Sequence, residues 1–186
     1  MRKLIFAMNT TLDGVISDEL SWILPGTDEV WDSFFEMIAD VDLLLLGSGM
    51  WPDYRDYWTR ALIEEGFSDH EVKYAQIAKA TKHIIFSRNM KITGWENATI
   101  ASGDLTSFIQ QIKSEKGKSI QIVGGVKFAS EMINTGLVDE YRITINPVIL
   151  GRGKSLYKDL FIHQKLECFN AEHLDSGAVV LSYRKI

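Results

Sequence analysis

The chain has 186 residues, a formal net charge of −5 and one cysteine. This length suits a single domain over residues 1–186, and the acidic balance disfavours a general nucleic-acid binder. One cysteine excludes an internal disulfide and fits a reducing cytosol. The apolar runs are far shorter than the roughly 20 residues of a membrane span, and no signal-peptide pattern is present. The sequence therefore predicts a cytoplasmic protein without a membrane partner.

The first part of the chain alternates a strand, a loop, a helix and a second strand. Leu4–Met8 is a short apolar run typical of a buried strand, and a long loop from Leu12 to Thr27 follows it. Loops longer than about 12 residues in compact domains are often functional. Apolar residues at four-residue steps predict a helix over Asp28–Ala39. Four consecutive leucines make Val41–Leu46 the clearest strand, buried on both faces as in a parallel sheet.

The later part of the chain continues this alternation and then ends in strands only. Helices are predicted after Ser68, Asp104 and Gly125. The predicted strands are Lys82–Phe86, Ala98–Ala101, Ser119–Val123, Tyr141–Ile149 and two hairpin arms, Leu166–Glu172 and Val179–Tyr183. This order predicts an α/β fold with a mixed, largely parallel sheet, helices on both faces and a C-terminal antiparallel hairpin.

Glycines follow two of the predicted strands at the edge where α/β sheets bind ligands. Gly124-Gly125 lies between a strand and a helix, so the backbone can approach a ligand while the first helical N–H groups stay unpaired. A diphosphate would satisfy these amides; a tight turn without a ligand is the alternative. Gly47-Ser48-Gly49 stands in the same position after the leucine run, and Pro52 suits the first turn of a helix.

Other candidate residues each leave two interpretations open. Ser87-Arg88 offers a hydroxyl and a guanidinium to a phosphate, or is an ordinary surface charge. Asp13 is a catalytic carboxylate or part of an Asp-Gly turn. Asp32 is a half-buried carboxylate with a raised pKa, or belongs to a solvated helix face. Trp22 closes over a flat ring, or packs at the edge of the core.

Several kinds of site are not predicted. The four histidines show no metal-binding spacing, and the single cysteine does not pair with them, so no metal site is expected. Phosphate-loop, dinucleotide-fingerprint and serine-hydrolase motifs are also missing. Gly151-Arg152-Gly153-Lys154 either holds a substrate phosphate or only turns the chain.

Five segments carry a resemblance to a known family. They are Thr11-Leu12-Asp13-Gly14, Leu45-Leu46-Gly47, Ile122-Val123-Gly124-Gly125, Gly136-Leu137-Val138-Asp139-Glu140 and Pro147-Val148-Ile149-Leu150-Gly151-Arg152-Gly153. In this order they resemble the dihydrofolate reductase-like superfamily, in particular the reductase domain of riboflavin biosynthesis. The resemblance implies a mixed sheet of eight or nine strands, NADPH as hydride donor, a small heterocyclic substrate such as a ribosylamino-pyrimidine or a pteridine, and often a homodimer.

The resemblance also assigns roles by position. The residues implied to hold the cofactor are Ala7, Gly14, Gly47, Ser48, Gly49, Met50, Ser87, Arg88, Gly124, Gly125, Val126 and Lys127. Asp13 and Asp32 are the implied catalytic residues, and Trp22 would face the substrate. Ser48-Gly49-Met50 departs from the family's usual arginine or lysine followed by threonine, which leaves NADPH or NADH open. The predicted function is reduction of a small heterocycle; the alternative is a non-catalytic nucleotide- or flavin-binding protein.

Overall fold

A computed structural model of the chain describes residues 1–16, 26–157 and 159–186. The strands are β1 (Leu4–Thr11), β2 (Val15–Ile16), β3 (Val41–Gly47), β4 (Lys82–Phe86), β5 (Ala98–Ala101), β6 (Ser119–Gly124), β7 (Glu140–Asn146), β8 (Lys154–Ser155), β9 (Leu166–His173) and β10 (Val179–Lys185). The helices are α1 (Asp28–Ile38), α2 (Trp51–Ala61), α3 (Asp69–Ala80), α4 (Leu105–Ser114) and α5 (Val126–Asn134).

The main sheet has the strand order β5-β4-β3-β6-β1-β7-β10-β9. β1 is parallel to both of its neighbours, β6 and β7, and β3, β4 and β5 continue the parallel arrangement. β10 is antiparallel to β7 and to β9, which confirms the predicted C-terminal hairpin. After β5 the chain returns through α4 to place β6 between β3 and β1. The carboxyl ends of β3, β6 and β1 therefore lie side by side where the strand order reverses, the usual ligand position in such sheets.

The leucine run in β3 explains why helices lie on both faces. Leu43 and Leu45 pack into one apolar cluster with residues of α4 and α5. Leu44 and Leu46 pack into a second cluster with residues of α1, α2 and α3. All four side chains are at most 6% exposed. Since burial of one leucine contributes about 1.5–3 kcal/mol, this strand stabilises both layers, as its unbroken apolar sequence predicts.

The segments that follow β1 and β7 differ from the sequence-based expectation. β7 ends at Asn146 instead of Ile149, because Pro147 has no N–H to donate to a ladder. The segment after it turns toward the loop that follows β1, where the short strands β2 and β8 pair antiparallel. Neither short strand was predicted, since two-residue strands carry no periodic signal.

A search of the described residues for an apolar helix long enough to cross a bilayer finds none.

Candidate functional site

Three glycines bring β3 and β6 together at the carboxyl edge of the sheet, and we call Gly47, Gly124 and Gly125 the β3–β6 corner. Leu46 is the register partner of Gly124. A Cβ built on Gly125 would lie 4.0 Å from the Gly47 Cα, so the two strand ends are in close contact. The structure thus brings together two sequence-predicted glycine segments that are far apart in the chain.

Gly47 serves packing within this corner. A Cβ on Gly47 would lie 2.7 Å from the Cβ of Phe128 in α5, a separation that real side chains do not tolerate. The missing side chain therefore allows α5 to pack directly against the end of β3. This places the beginning of α5 beside the beginning of α2, which follows β3.

These two helices begin differently from the others. α1, α3 and α4 each start with a side-chain cap, supplied by Thr27, Ser68 and Asp104. Within the described part of the chain, α2 and α5 start without one, with Met50 and Gly125 at their N-cap positions. First-turn N–H groups have no partner inside their own helix, and the helix dipole adds partial positive charge there. Two such uncapped N-termini meet at the β3–β6 corner and favour an anion.

The backbone of the corner requires glycine. Gly124 has φ of +146° and Gly125 of +88°, conformations that side-chain-bearing residues rarely adopt. Lys127 is exposed in the first turn of α5 and adds a full positive charge near the amides. The side chains of Met8 and Met50 lie over Gly124.

The loops after β3 and β4 form the outer side of this corner. The Ser48 N–H donates to the Phe86 carbonyl over 3.1 Å, which holds the two loops together. The Ser87 Oγ accepts hydrogen bonds from the N–H groups of Asn89 (3.2 Å) and Met90 (3.0 Å). Arg88 is exposed, and among the described residues its guanidinium has no hydrogen bond or ion pair. The structure thus places the loop that carries Ser48 against the end of β4, where Ser87 and Arg88 follow.

At the same edge of the sheet, the segment after β1 and the segment after β7 bind each other. We call residues 11–16 and 147–157 the β1–β7 loop pair. The Leu12 N–H donates to the Val148 carbonyl over 2.9 Å, and the Leu156 N–H donates to the Gly14 carbonyl over 3.0 Å. Gly14 has φ of +73°, and a Cβ there would lie 3.7 Å from the Tyr157 ring.

Asp13 is fully engaged in this loop pair. Its carboxylate accepts hydrogen bonds from the Thr11 hydroxyl (2.5 Å), the Gly151 N–H (2.7 Å) and the Leu150 N–H (3.3 Å). The Thr11 bond, followed by the backbone bonds, lowers the pKa of Asp13 below its ordinary value. Asp13 is thus an ionised acceptor at neutral pH, and the Gly151 segment turns the chain against it.

The remaining predicted residues lie apart from one another. Ala7 is half-buried in β1 and is the register partner of Arg142 in β7. Asp32 is exposed on α1, which supports a solvated helix face over a half-buried carboxylate. Trp22 lies outside the described residues.

Sequence reasoning missed a polar network beside Ala7. An Nη2–H of Arg142 donates to the Ser33 carbonyl (2.9 Å) and to the Ser33 hydroxyl oxygen, and that hydroxyl donates to Glu172 Oε2 (3.0 Å). Burial lowers the pKa of Arg142, and the nearby Glu172 and Glu36 carboxylates oppose that shift. The network ties α1 to β7 and β9. Its only sequence signal is an arginine within the predicted strand.

A cleft of about 250 Å³ lies below this network, toward the amino ends of the strands. Its lining includes Ile5, Met37, Arg142 and Phe169. It is separate from the β3–β6 corner, because none of the corner glycines lines it. Within the ranges that the structure covers, no group of three or more histidine, cysteine or acidic side chains could hold a metal ion.

Comparison with known proteins is consistent with this geometry. The chain is 28% identical over 185 residues to the uncharacterised protein YyaP of Bacillus subtilis (strain 168), covering 98% of this chain and 94% of that protein. A putative riboflavin biosynthesis protein from Shewanella sp. PV-4 has a similar structure, with 21% identity, coverage of 99% of both chains and a TM-score of 0.77.

Dihydrofolate reductase from Enterococcus faecalis, solved as a complex with NADP(H), also has a similar structure. Its identity is 14%, the match covers 98% of this chain and 96% of that one, and the TM-score is 0.63. These two likenesses confirm the predicted dihydrofolate reductase-like fold. The sequence profile described as the RibD C-terminal domain matches residues 2–180, so the chain belongs to the RibD C-terminal domain family.

Proposed function

We propose that this protein is an NADPH-dependent reductase of a small heterocyclic substrate. The observation that supports this most is the meeting of two uncapped helix N-termini at the β3–β6 corner. The diphosphate of a dinucleotide carries the negative charge that such amides stabilise. Membership of a family that resembles riboflavin-pathway reductases points to the same chemistry.

The residues of the corner fit this group once the side-chain ends of Met8 and Met50, which lie over Gly124, move aside. Gly124 and Gly125 present backbone without a Cβ, in conformations that would strain any other residue. The first-turn amides of Val126 and Lys127, together with the Lys127 ammonium, complete a positive end for a diphosphate. These residues would hold the diphosphate when the dinucleotide is bound.

The outer loops suit the adenosine half of the cofactor. Gly47, Ser48 and Gly49 line the turn from β3 to α2, and the loop after β4 lies against that turn. Arg88, which has no partner within the described ranges, is available for a 2′-phosphate. A guanidinium pairs well with phosphate oxygens through its fork of donors. This residue would favour NADPH over NADH.

NADPH would supply a hydride to the substrate carbon. The contribution of the chain is to position the two rings and exclude water around them. Ala7 and Gly14 would flank the nicotinamide. A proton would come from water oriented by Asp13 or Asp32, since the ionised Asp13 has no proton of its own to give at neutral pH. The role of Trp22 beside the substrate stays a prediction, because this residue lies outside the described ranges.

A thermal-shift comparison of NADPH, NADH and buffer tests this proposal. A ligand at 100 times its Kd stabilises the folded state by about 2.7 kcal/mol, so NADPH should raise the melting temperature, and more than NADH does. Lys127→Ala should reduce that rise, whereas Lys116→Ala, at an exposed lysine outside the site, should not. If neither dinucleotide raises the melting temperature, the proposal is wrong.

A second function has two observations in its favour. The carboxylate of Asp13 already serves three donors, and Asp32 is exposed, which would suit a nucleotide-binding protein without chemistry. NADPH oxidation assayed with dihydrofolate, pteridines and ribosylamino-pyrimidines separates the two functions. Binding without turnover on any of them favours the non-catalytic protein. Turnover that survives in both Asp13→Asn and Asp32→Asn removes these residues from the mechanism.

A further inference from the structure

Two methionine side chains lie against Gly124, where any other residue would have its Cβ. A Cβ built on Gly124 would lie 3.1 Å from Met50 Sδ and 3.2 Å from Met8 Cε, with Met50 Cε at 3.9 Å. The space that the glycine leaves free is therefore taken by the flexible ends of Met8 and Met50. A dinucleotide that uses this space cannot do so while both side chains remain there.

The two methionines reach Gly124 from opposite layers of the molecule. Met8 lies in β1 and packs against the apolar cluster under α4 and α5. Met50 is the N-cap residue of α2 and packs against the cluster on the other face. Both are half-buried. They meet where β6 ends.

A methionine side chain can cover Gly124 and move away from it easily. It is unbranched and has three rotatable bonds, so its end can change position without a shift of the backbone. The cover therefore competes with a ligand for the space beside Gly124.

We propose that Met8 and Met50 set the affinity of the β3–β6 corner for its dinucleotide, by covering Gly124 in the free protein and moving aside on binding. This inference rests on the proposed function, because it needs a dinucleotide at the corner. It differs from a role in packing alone, which would make every truncation of these side chains neutral or harmful to binding.

Alanine and leucine variants should act in opposite directions. Met8→Ala and Met50→Ala remove the cover and should lower the Kd for NADPH about three- to tenfold, although each lowers the melting temperature of the free protein. Met50→Leu keeps a carbon at the position of Sδ, and its branched side chain has fewer rotatable bonds with which to move aside. This variant should raise the Kd at least threefold.

Titration of NADPH fluorescence with each purified variant measures these changes without an activity assay. Met37→Ala is the matched control, since Met37 is also half-buried but lines the separate cleft, and its Kd should equal that of the wild type. If one alanine variant fails to fold, the other carries the same prediction. The inference is overturned if the alanine variants bind NADPH no more tightly than the wild type. It is also overturned if Met37→Ala lowers the Kd as much as they do.

The same titration separates this inference from the proposed function. If the wild type binds NADPH and the variants bind it with the same Kd, the methionine cover is contradicted and the dinucleotide site is not. The absence of binding in the wild type and in both alanine variants contradicts the dinucleotide site itself. Binding that is weak in the wild type and strong in the alanine variants supports both.

Discussion

The β3–β6 corner and the β1–β7 loop pair lie at the same edge of the sheet but use their polar groups in opposite ways. In the loop pair, the Asp13 carboxylate accepts three hydrogen bonds and the two segments bind each other through their backbones. In the corner, two helices begin without side-chain caps. A region that satisfies its own groups is a rigid support, whereas a region with unused donors is prepared for a ligand.

The largest expected effect concerns packing at the corner. Gly47→Ala would place a Cβ 2.7 Å from the Phe128 Cβ, which cannot rotate away. Overpacking of this kind costs about 1–3 kcal/mol, so the free energy of unfolding measured with urea should fall by that amount. Gly49→Ala is the matched control, because a Cβ there meets nothing within 4 Å. Equal stability of the two variants would show that α5 does not depend on this close approach.

The next effect concerns the unused cation beside the corner. Arg88→Ala should weaken NADPH binding about five- to tenfold, or roughly 1–1.4 kcal/mol, and leave NADH binding unchanged. Calorimetric titration with both cofactors measures this difference. Lys91→Ala, at another exposed cation of the same loop, should change neither affinity. If Arg88→Ala weakens the binding of NADPH and NADH equally, the guanidinium contacts a part of the cofactor other than the 2′-phosphate.

The smallest effect tests the loop pair through pH. Hydrogen bonds, first that of Thr11, lower the pKa of Asp13 from its ordinary 3.8 in the folded protein. The unfolded chain therefore binds this proton at higher pH, and the stabilisation by Asp13 is present above about pH 4 and lost as the pH falls through the folded pKa. The stability difference between the wild type and Asp13→Asn should close over this acidic range.

The control for this experiment is built into the comparison. Burial lowers the pKa of His83 to about 4, so both proteins lose stability as the pH falls from about 6.5 toward 4. Because His83 is the same in both, its contribution cancels in the difference between them. A difference that stays constant between neutral pH and about pH 2.5 would mean that Asp13 makes no charge-dependent bonds.

Much of this contrast could be predicted from local sequence. The leucine run of β3 predicts a strand buried on both faces, and it is one. Gly124-Gly125 between a strand and a helix predicts an N-terminus without a side-chain cap, and α5 begins in that way. Both predictions depend on residues that are adjacent in the chain, where backbone conformation and burial are encoded directly.

Features that depend on distant contacts were not predicted. The partners of Asp13 at Leu150 and Gly151 are more than 130 residues away in the chain. The bond between Arg142 and Ser33 and the position of Met50 over Gly124 likewise depend on the packing of separate elements. The exposure of Asp32 follows from the rotation of α1 about its axis, which residue spacing near the edge of an apolar stripe does not define.

An amide NMR titration of the ¹⁵N-labelled protein with NADPH tests binding of the dinucleotide at the β3–β6 corner. We expect the largest chemical-shift changes at the amides of Gly125, Val126 and Lys127, with Gly14 and Asp13 changing less. Inorganic diphosphate should move the same three amides and leave the β1–β7 loop pair unaffected. Changes confined to the cleft beside Arg142, or none at the start of α5, would contradict binding at this corner.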